Sequence, residues 1–91
     1  MEPTCRIAIT VTGRVQGVGF RFTTRSVANS FGLTGYVKNL PDGSVYIEAQ
    51  GSRVQVESLM EWCRKGPDRA VVESVDCSWI QTADEEFFKI R

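Results

Sequence analysis

The sequence contains no histidine, and that absence removes more chemistry than any other feature of the chain. Ser-His and Cys-His nucleophile pairs, histidine metal sites and histidine acid–base catalysts cannot be assembled from it. Cysteine is scarce. Cys5, Cys63 and Cys77 form no Cys-x-x-Cys pair, leave an odd thiol and lack zinc-ligand spacing, so no metal is expected. An excess of either charge is also missing, since eleven basic and eleven acidic side chains give a formal net charge of zero. Polyanion binders usually carry a basic surplus, so no nucleic-acid partner is expected. No apolar run approaches the roughly 20 residues of a membrane span. Met1-Glu2-Pro3-Thr4 lacks the basic start and apolar stretch of a secretory leader. A cytoplasmic protein with reduced cysteines and no membrane partner is the expectation.

What is present suits a small globular unit. With 42% hydrophobic and 24% charged side chains the chain is too apolar for disorder, and 91 residues allow one core, hence one domain over 1–91. Arg6 to Thr12 alternates, with Ile7, Ile9 and Val11 on one side, and reads as a half-buried strand. After Gly13–Gly19 the period changes. Phe20, Thr24, Val27, Ala28 and Phe31 share one helical face, and Gly32-Leu33 suits a Schellman-type end. A second strand is expected over Thr34–Leu40, a turn at Pro41-Asp42-Gly43, and a third strand over Ser44–Gln50. Ser52-Arg53-Val54-Gln55 has capping-box form and opens a helix with Val56, Leu59, Met60 and Cys63 as its buried stripe. Lys65-Gly66-Pro67 stops that helix; strands over Val72–Ile80 and Phe87–Ile90 complete the chain. The order βαββαβ with a short terminal strand predicts an α+β, ferredoxin-like sandwich: an antiparallel sheet with both helices on one face. Right-handed crossovers put the third strand between the first and second. The loop leaving the first strand and the residues ending the second then emerge at one edge.

That edge carries the candidate chemistry. Three glycines within Gly13–Gly19, followed by the helix start Phe20-Arg21, present main-chain N–H groups that a helix cannot satisfy internally. Such a nest at a positive helix end suits an anion, and the planar fork of Arg21 matches phosphate oxygens. The same spacing also fits a plain glycine-rich turn beside a solvated arginine. No Gly-Lys-Ser/Thr follows, so a Walker-type nucleotide site is not expected. Asn39, just before the turn, either caps that turn through its side chain or holds a water beside the nest.

Gly13-Arg14-Val15-Gln16-Gly17-Val18-Gly19-Phe20-Arg21, the later run from Gly32 through Lys38-Asn39-Leu40-Pro41-Asp42-Gly43, and the ending Phe88-Lys89-Ile90-Arg91 resemble the acylphosphatase family nearly end to end. The resemblance implies the ferredoxin-like fold and hydrolysis of acyl phosphates to a carboxylate and inorganic phosphate, with no metal or organic cofactor. It makes Arg21 the phosphate-binding arginine and Asn39 the water-positioning residue. Val15, Gln16, Gly17, Val18, Gly19 and Phe20 become the phosphate cradle. A monomer acting on a small-molecule acyl phosphate is expected.

Two other classes share this fold. An RNA-binding domain would use Tyr36 and Tyr46 on an open sheet face, but Gly17–Phe22 echoes the ribonucleoprotein signature only across a loop and a helix, not on a central strand. A small-molecule regulatory module would bind without turnover. Arg14 is expected to be solvated, and Trp62 and Trp79 to pack. Cys63 and Cys77 read as buried hydrophobes, with all three thiols dispensable for chemistry. The terminal carboxylate of Arg91 is expected near Arg21.

Overall fold

The computed structural model describes residues 3–91; Met1 and Glu2, the start of the segment read as leaderless, lie outside them. The chain runs β1 (Thr4–Arg14), α1 (Phe20–Ser30), β2 (Thr34–Asn39), β3 (Val45–Ser52), α2 (Arg53–Cys63), β4 (Val71–Ile80) and β5 (Phe88–Ile90). The strands lie in the order β4-β1-β3-β2-β5. β3 pairs antiparallel with both β1 and β2, and β4 antiparallel with β1. β1 and β2 are therefore parallel, with β3 between them as expected. One correction concerns the last strand. β5 pairs parallel to β2, which makes the sheet mixed. β4 occupies the far edge, so its connection crosses the sheet and enters β5 at the end where β2 begins.

The alternating strands bury one face. Ile7, Ile9 and Val11 of β1, Val37 of β2, and Val45, Ile47 and Ala49 of β3 form a single core with Phe20 and Ala28 of α1 and Val56, Leu59 and Cys63 of α2. The ends of both helices follow their local sequence. Leu33 N–H donates to Ala28 O at 3.0 Å and Gly32 N–H to Asn29 O at 3.1 Å, the Schellman pair that terminates α1. At the start of α2, Ser52 Oγ accepts from Gln55 N–H at 3.4 Å. The Gln55 side chain returns to the Ser52 hydroxyl at 3.0 Å, so the capping box closes on a side chain.

The cysteines divide. Cys63 is buried, and that burial, reinforced by nearby Cys77, pushes its thiol up to about 12 and keeps it protonated. Cys77, expected to be buried, is exposed. It lies on the helix side of the sheet, beside Ile9, but β4 is an edge strand and α2 packs chiefly on β1 and β3. Trp79 on the same strip is half-exposed, its ring 4.8 Å from the Arg53 guanidinium. Trp62 does pack, with its ring centre 5.5 Å from that of Phe20.

The opposite face of the sheet holds a polar network. Tyr36 and Tyr46 donate to Glu48 Oε2 at 2.8 and 2.7 Å. The buried Arg6 donates from Nε to Glu48 Oε1 at 2.9 Å and also pairs with Glu85. Burial pushes the Glu48 carboxyl up, but the two tyrosine hydroxyls and Arg6 outweigh it and hold the group below its ordinary 4.5. A depressed acid stabilises the fold above its ordinary value, and that contribution is lost as pH falls through the folded-state value. Melting temperature should therefore drop in acid below about pH 4.5. Glu48→Gln should lower Tm at neutral pH and flatten the acid decline. Parallel Tm profiles for the two proteins would contradict this assignment.

Candidate active site

β1 outlasts its alternation, continuing through a register shift between Thr12 and Gly13 to Arg14, which is exposed at the strand end. The loop beyond is fastened from inside. Val15 and Val18 are buried, while Gly17 and Gly19 face outward. Gly17 and Gly19 have φ of 74° and 79°, the left-handed region. A Cβ built on either would meet nothing within 4 Å, so each is required for its backbone angle and opens onto free space.

Gly19 also caps α1, and it does so without a side chain. No capping hydrogen bond and no acidic residue occur in the first turn. The N–H groups there remain available, beside the partial positive charge of the helix end. Phe20 fixes this helix end from below, packed on Trp62 and so close to Gly66 that a Cβ there would lie 2.6 Å from its ring. Arg21 follows, half-buried, in the first turn. A cation at that position is electrostatically misplaced unless an anion joins it. Arg21 Nη1 donates to the main-chain oxygen of Arg91 at 3.3 Å. Most of the guanidinium's donors have no protein acceptor among the described residues. Arg91 is held in turn by its N–H to Val37 O at 2.8 Å, with its guanidinium 4.0 Å from the Tyr36 ring centre.

Asn39 ends β2, opposite Val45 in the ladder and on the same side of the sheet as buried Val37. The turn after it has its own cap. Asp42 Oδ1 accepts from Ser44 N–H at 2.9 Å and from the Ser44 hydroxyl at 2.6 Å. The Asn39 amide makes no hydrogen bond to another described residue, so the turn-capping alternative does not describe it.

These elements enclose a cavity of about 180 Å³. Val15, Gly17, Gly19, Phe20 and Arg21 line it from the loop and helix, and Asn39 from the strand end. Phe22, highly exposed, and Ile90 of β5 give it an apolar lip. The Gln16 and Val18 side chains do not line it: Val18 turns into the core and Gln16 reaches two main-chain carbonyls, so only their main-chain N–H groups are left for the cradle expected of them. Residue spacing did not assign Ile90 to this place, although its alternation with Phe88 correctly tied the final strand to the sheet. Among the described residues no three His, Cys, Asp or Glu side chains gather as metal ligands would. No helix among them is long and apolar enough to cross a membrane.

The family model for acylphosphatase matches residues 7–90. The chain belongs to the acylphosphatase family. It is 53% identical to an acylphosphatase from Acaryochloris marina over 80 residues, 88% of this chain and 86% of the relative. It is 44% identical to one from Trichormus variabilis over 86 residues, 94% of this chain and 85% of the relative. The solved acylphosphatase from Coxiella burnetii superposes with a TM-score of 0.94 at 41% identity, covering 97% of this chain and 93% of that one. The chain is accordingly an acylphosphatase-type hydrolase, and its substrate is a small-molecule acyl phosphate.

Proposed function

We propose that this cavity hydrolyses acyl phosphates by in-line attack of a water held by Asn39 on a phosphoryl group held by Arg21 and the loop N–H groups of Val15 to Phe20. The observation that carries the reading is the convergence of an uncapped helix N-terminus, a first-turn arginine and an unpartnered amide around one cavity. Phosphoryl transfer passes through a loose transition state, so positioning and charge stabilisation supply most of the catalysis. Arg21 and the main-chain donors fit the equatorial oxygens. Asn39 can accept a hydrogen bond from one water O–H through its carbonyl and donate one through its nitrogen, which orients the water without deprotonating it. The proton passes to a phosphoryl oxygen of the substrate, and the bond to the acyl oxygen breaks to release carboxylate. Arg21 is not the base, because guanidinium stays protonated. A carboxylate leaving group needs no general acid, which suits a chain without histidine.

The test is turnover. The protein is expected to release benzoate and phosphate from benzoyl phosphate at the same rate with and without a metal chelator. Simple phosphate monoesters, whose alkoxide leaving groups need an acid, should be poor substrates. Absence of turnover above background would sink the reading, and loss of turnover with chelator would sink its metal-free form. RNA binding has less support. Lys38 Nζ lies 5.9 and 5.7 Å from the centres of the Tyr36 and Tyr46 rings, Arg91 covers Tyr36, and both hydroxyls are bonded to Glu48.

A further inference from the structure

The two halves of the proposed reaction rest on separate elements. The phosphoryl group belongs to the loop after β1, and the water to Asn39 at the end of β2. These strands are not neighbours, because β3 lies between them, which separates them by roughly 10 Å. The ladder does not hold the two halves together either. Its last pairs on this side are Val11 with Val45 and Asn39 with Val45, and beyond Val11 the chain of β1 pairs only with β4. The loop and the β2–β3 turn therefore project past the sheet without backbone pairing between them.

Gln16 spans that gap. Its Nε2 donates to Leu40 O at 2.8 Å and to Ser44 O at 2.9 Å. Both amide hydrogens are used, so the side chain has one orientation; turned over, it would face two carbonyls with its own oxygen. Leu40 is the residue directly after Asn39, and Ser44 O also accepts Leu40 N–H at 2.9 Å, closing the turn. One peptide unit thus separates the anchored carbonyl from the water-holding residue. Among the described residues no other side-chain hydrogen bond joins the loop to this turn.

We infer that Gln16 is a positioning residue: its side chain sets the distance between the phosphate loop and Asn39, and so the line of attack. The inference rests on the phosphoryl-transfer reading above. It differs from a cradle role, because the Gln16 side chain points away from the cavity toward the turn. It also differs from simple turn stabilisation, and Asp42 separates the two. Asp42 braces the same turn through Ser44 and does not touch the loop.

The experiment compares Gln16→Leu and Gln16→Glu with Asp42→Ala, reading kcat, KM, inhibition by inorganic phosphate, and Tm. Gln16→Leu should lose about ten- to a hundredfold in kcat, since a misplacement near 1 Å is costly in a near-attack geometry. Phosphate inhibition should stay within about threefold, because Gly17, Gly19 and Arg21 keep their own geometry and only the reacting alignment is lost. Gln16→Glu should do no better than Gln16→Leu, having the right shape but no donor. Asp42→Ala should keep kcat within about twofold while losing Tm. If Gln16→Leu does not fold, Gln16→Met preserves length and carries the same comparison. Unchanged kcat in the Gln16 variants, or equal kcat losses in Gln16→Leu and Asp42→Ala at equal Tm, would overturn the inference. So would phosphate affinity falling as far as kcat. A wild-type protein without turnover would remove the functional reading and this inference with it; wild-type turnover beside unaffected Gln16 variants would remove this inference alone.

Discussion

Arg21→Ala is expected to lose more than about 10³-fold in kcat/KM for benzoyl phosphate, and to bind inorganic phosphate weakly if at all. A single hydrogen-bond donor to a developing charge is typically worth about 10²- to 10³-fold, and Arg21 supplies both charge and a two-pronged fork. The fold should survive. The only side-chain hydrogen bond of Arg21 among the described residues is the exposed one to Arg91 O, and exposed polar contacts of this kind contribute about 0–1 kcal/mol. The substitution also relieves a cation of the unfavourable end of α1. A Tm near wild type with abolished turnover is therefore the expected pair of readings. Arg21→Lys should recover part of the phosphate affinity, since it restores charge, but little of kcat, since a lysine is not planar. An alanine variant within tenfold of wild-type kcat/KM would show that the loop amides alone carry the phosphoryl group.

Much of this architecture is readable in the residues, and the exceptions have physical causes. Period-two alternation marks Ile7, Ile9 and Val11 because β1 is central and buried on one face only. The strand still runs longer than its alternation, Thr4–Arg14 against an expected Arg6–Thr12. Its extra residues pair with Ser52, Gly51, Val72 and Val71, partners that local pattern cannot show. Cys77 departs from its expected burial for a related reason. Parity on a strand says which side a residue faces, but not how fully a helix covers it, and α2 lies chiefly over β1 and β3, leaving Cys77 at the β4 edge exposed. The parallel pairing of β5 follows from where its connection crosses, a property of the whole sheet.

The candidate site was legible mainly as broken local rules. A helix start usually carries Ser, Thr, Asp or Asn and tolerates acid in its first turn; α1 instead begins with Gly19 and a cation. Departures of that kind cluster where a ligand supplies what the sequence withholds. Gln16 was not legible in this way. Its partners are the carbonyls of Leu40 and Ser44, and every residue has a carbonyl, so no residue type announces them.

Asn39→Ala should separate water placement from phosphate binding. In the Arg21 variant both are lost; here kcat is expected to fall about 10²- to 10³-fold while inhibition by phosphate changes little. The water exists as a positioned nucleophile only in the reacting geometry, so its holder contributes to the transition state and scarcely to the bound product. Folding should not intervene, because the turn beyond Asn39 is braced by Asp42 and Gln16 and the Asn39 amide bonds to no described residue. A Tm close to wild type would verify that. Asn39→Asp sharpens the comparison. It keeps the size and one acceptor but puts a negative charge on the cavity wall opposite Arg21, so phosphate affinity should fall together with kcat, unlike in the alanine variant. If Asn39→Ala instead lost phosphate affinity and kcat in equal measure, Asn39 would be part of the phosphate cradle, and the water would have to be held by another group.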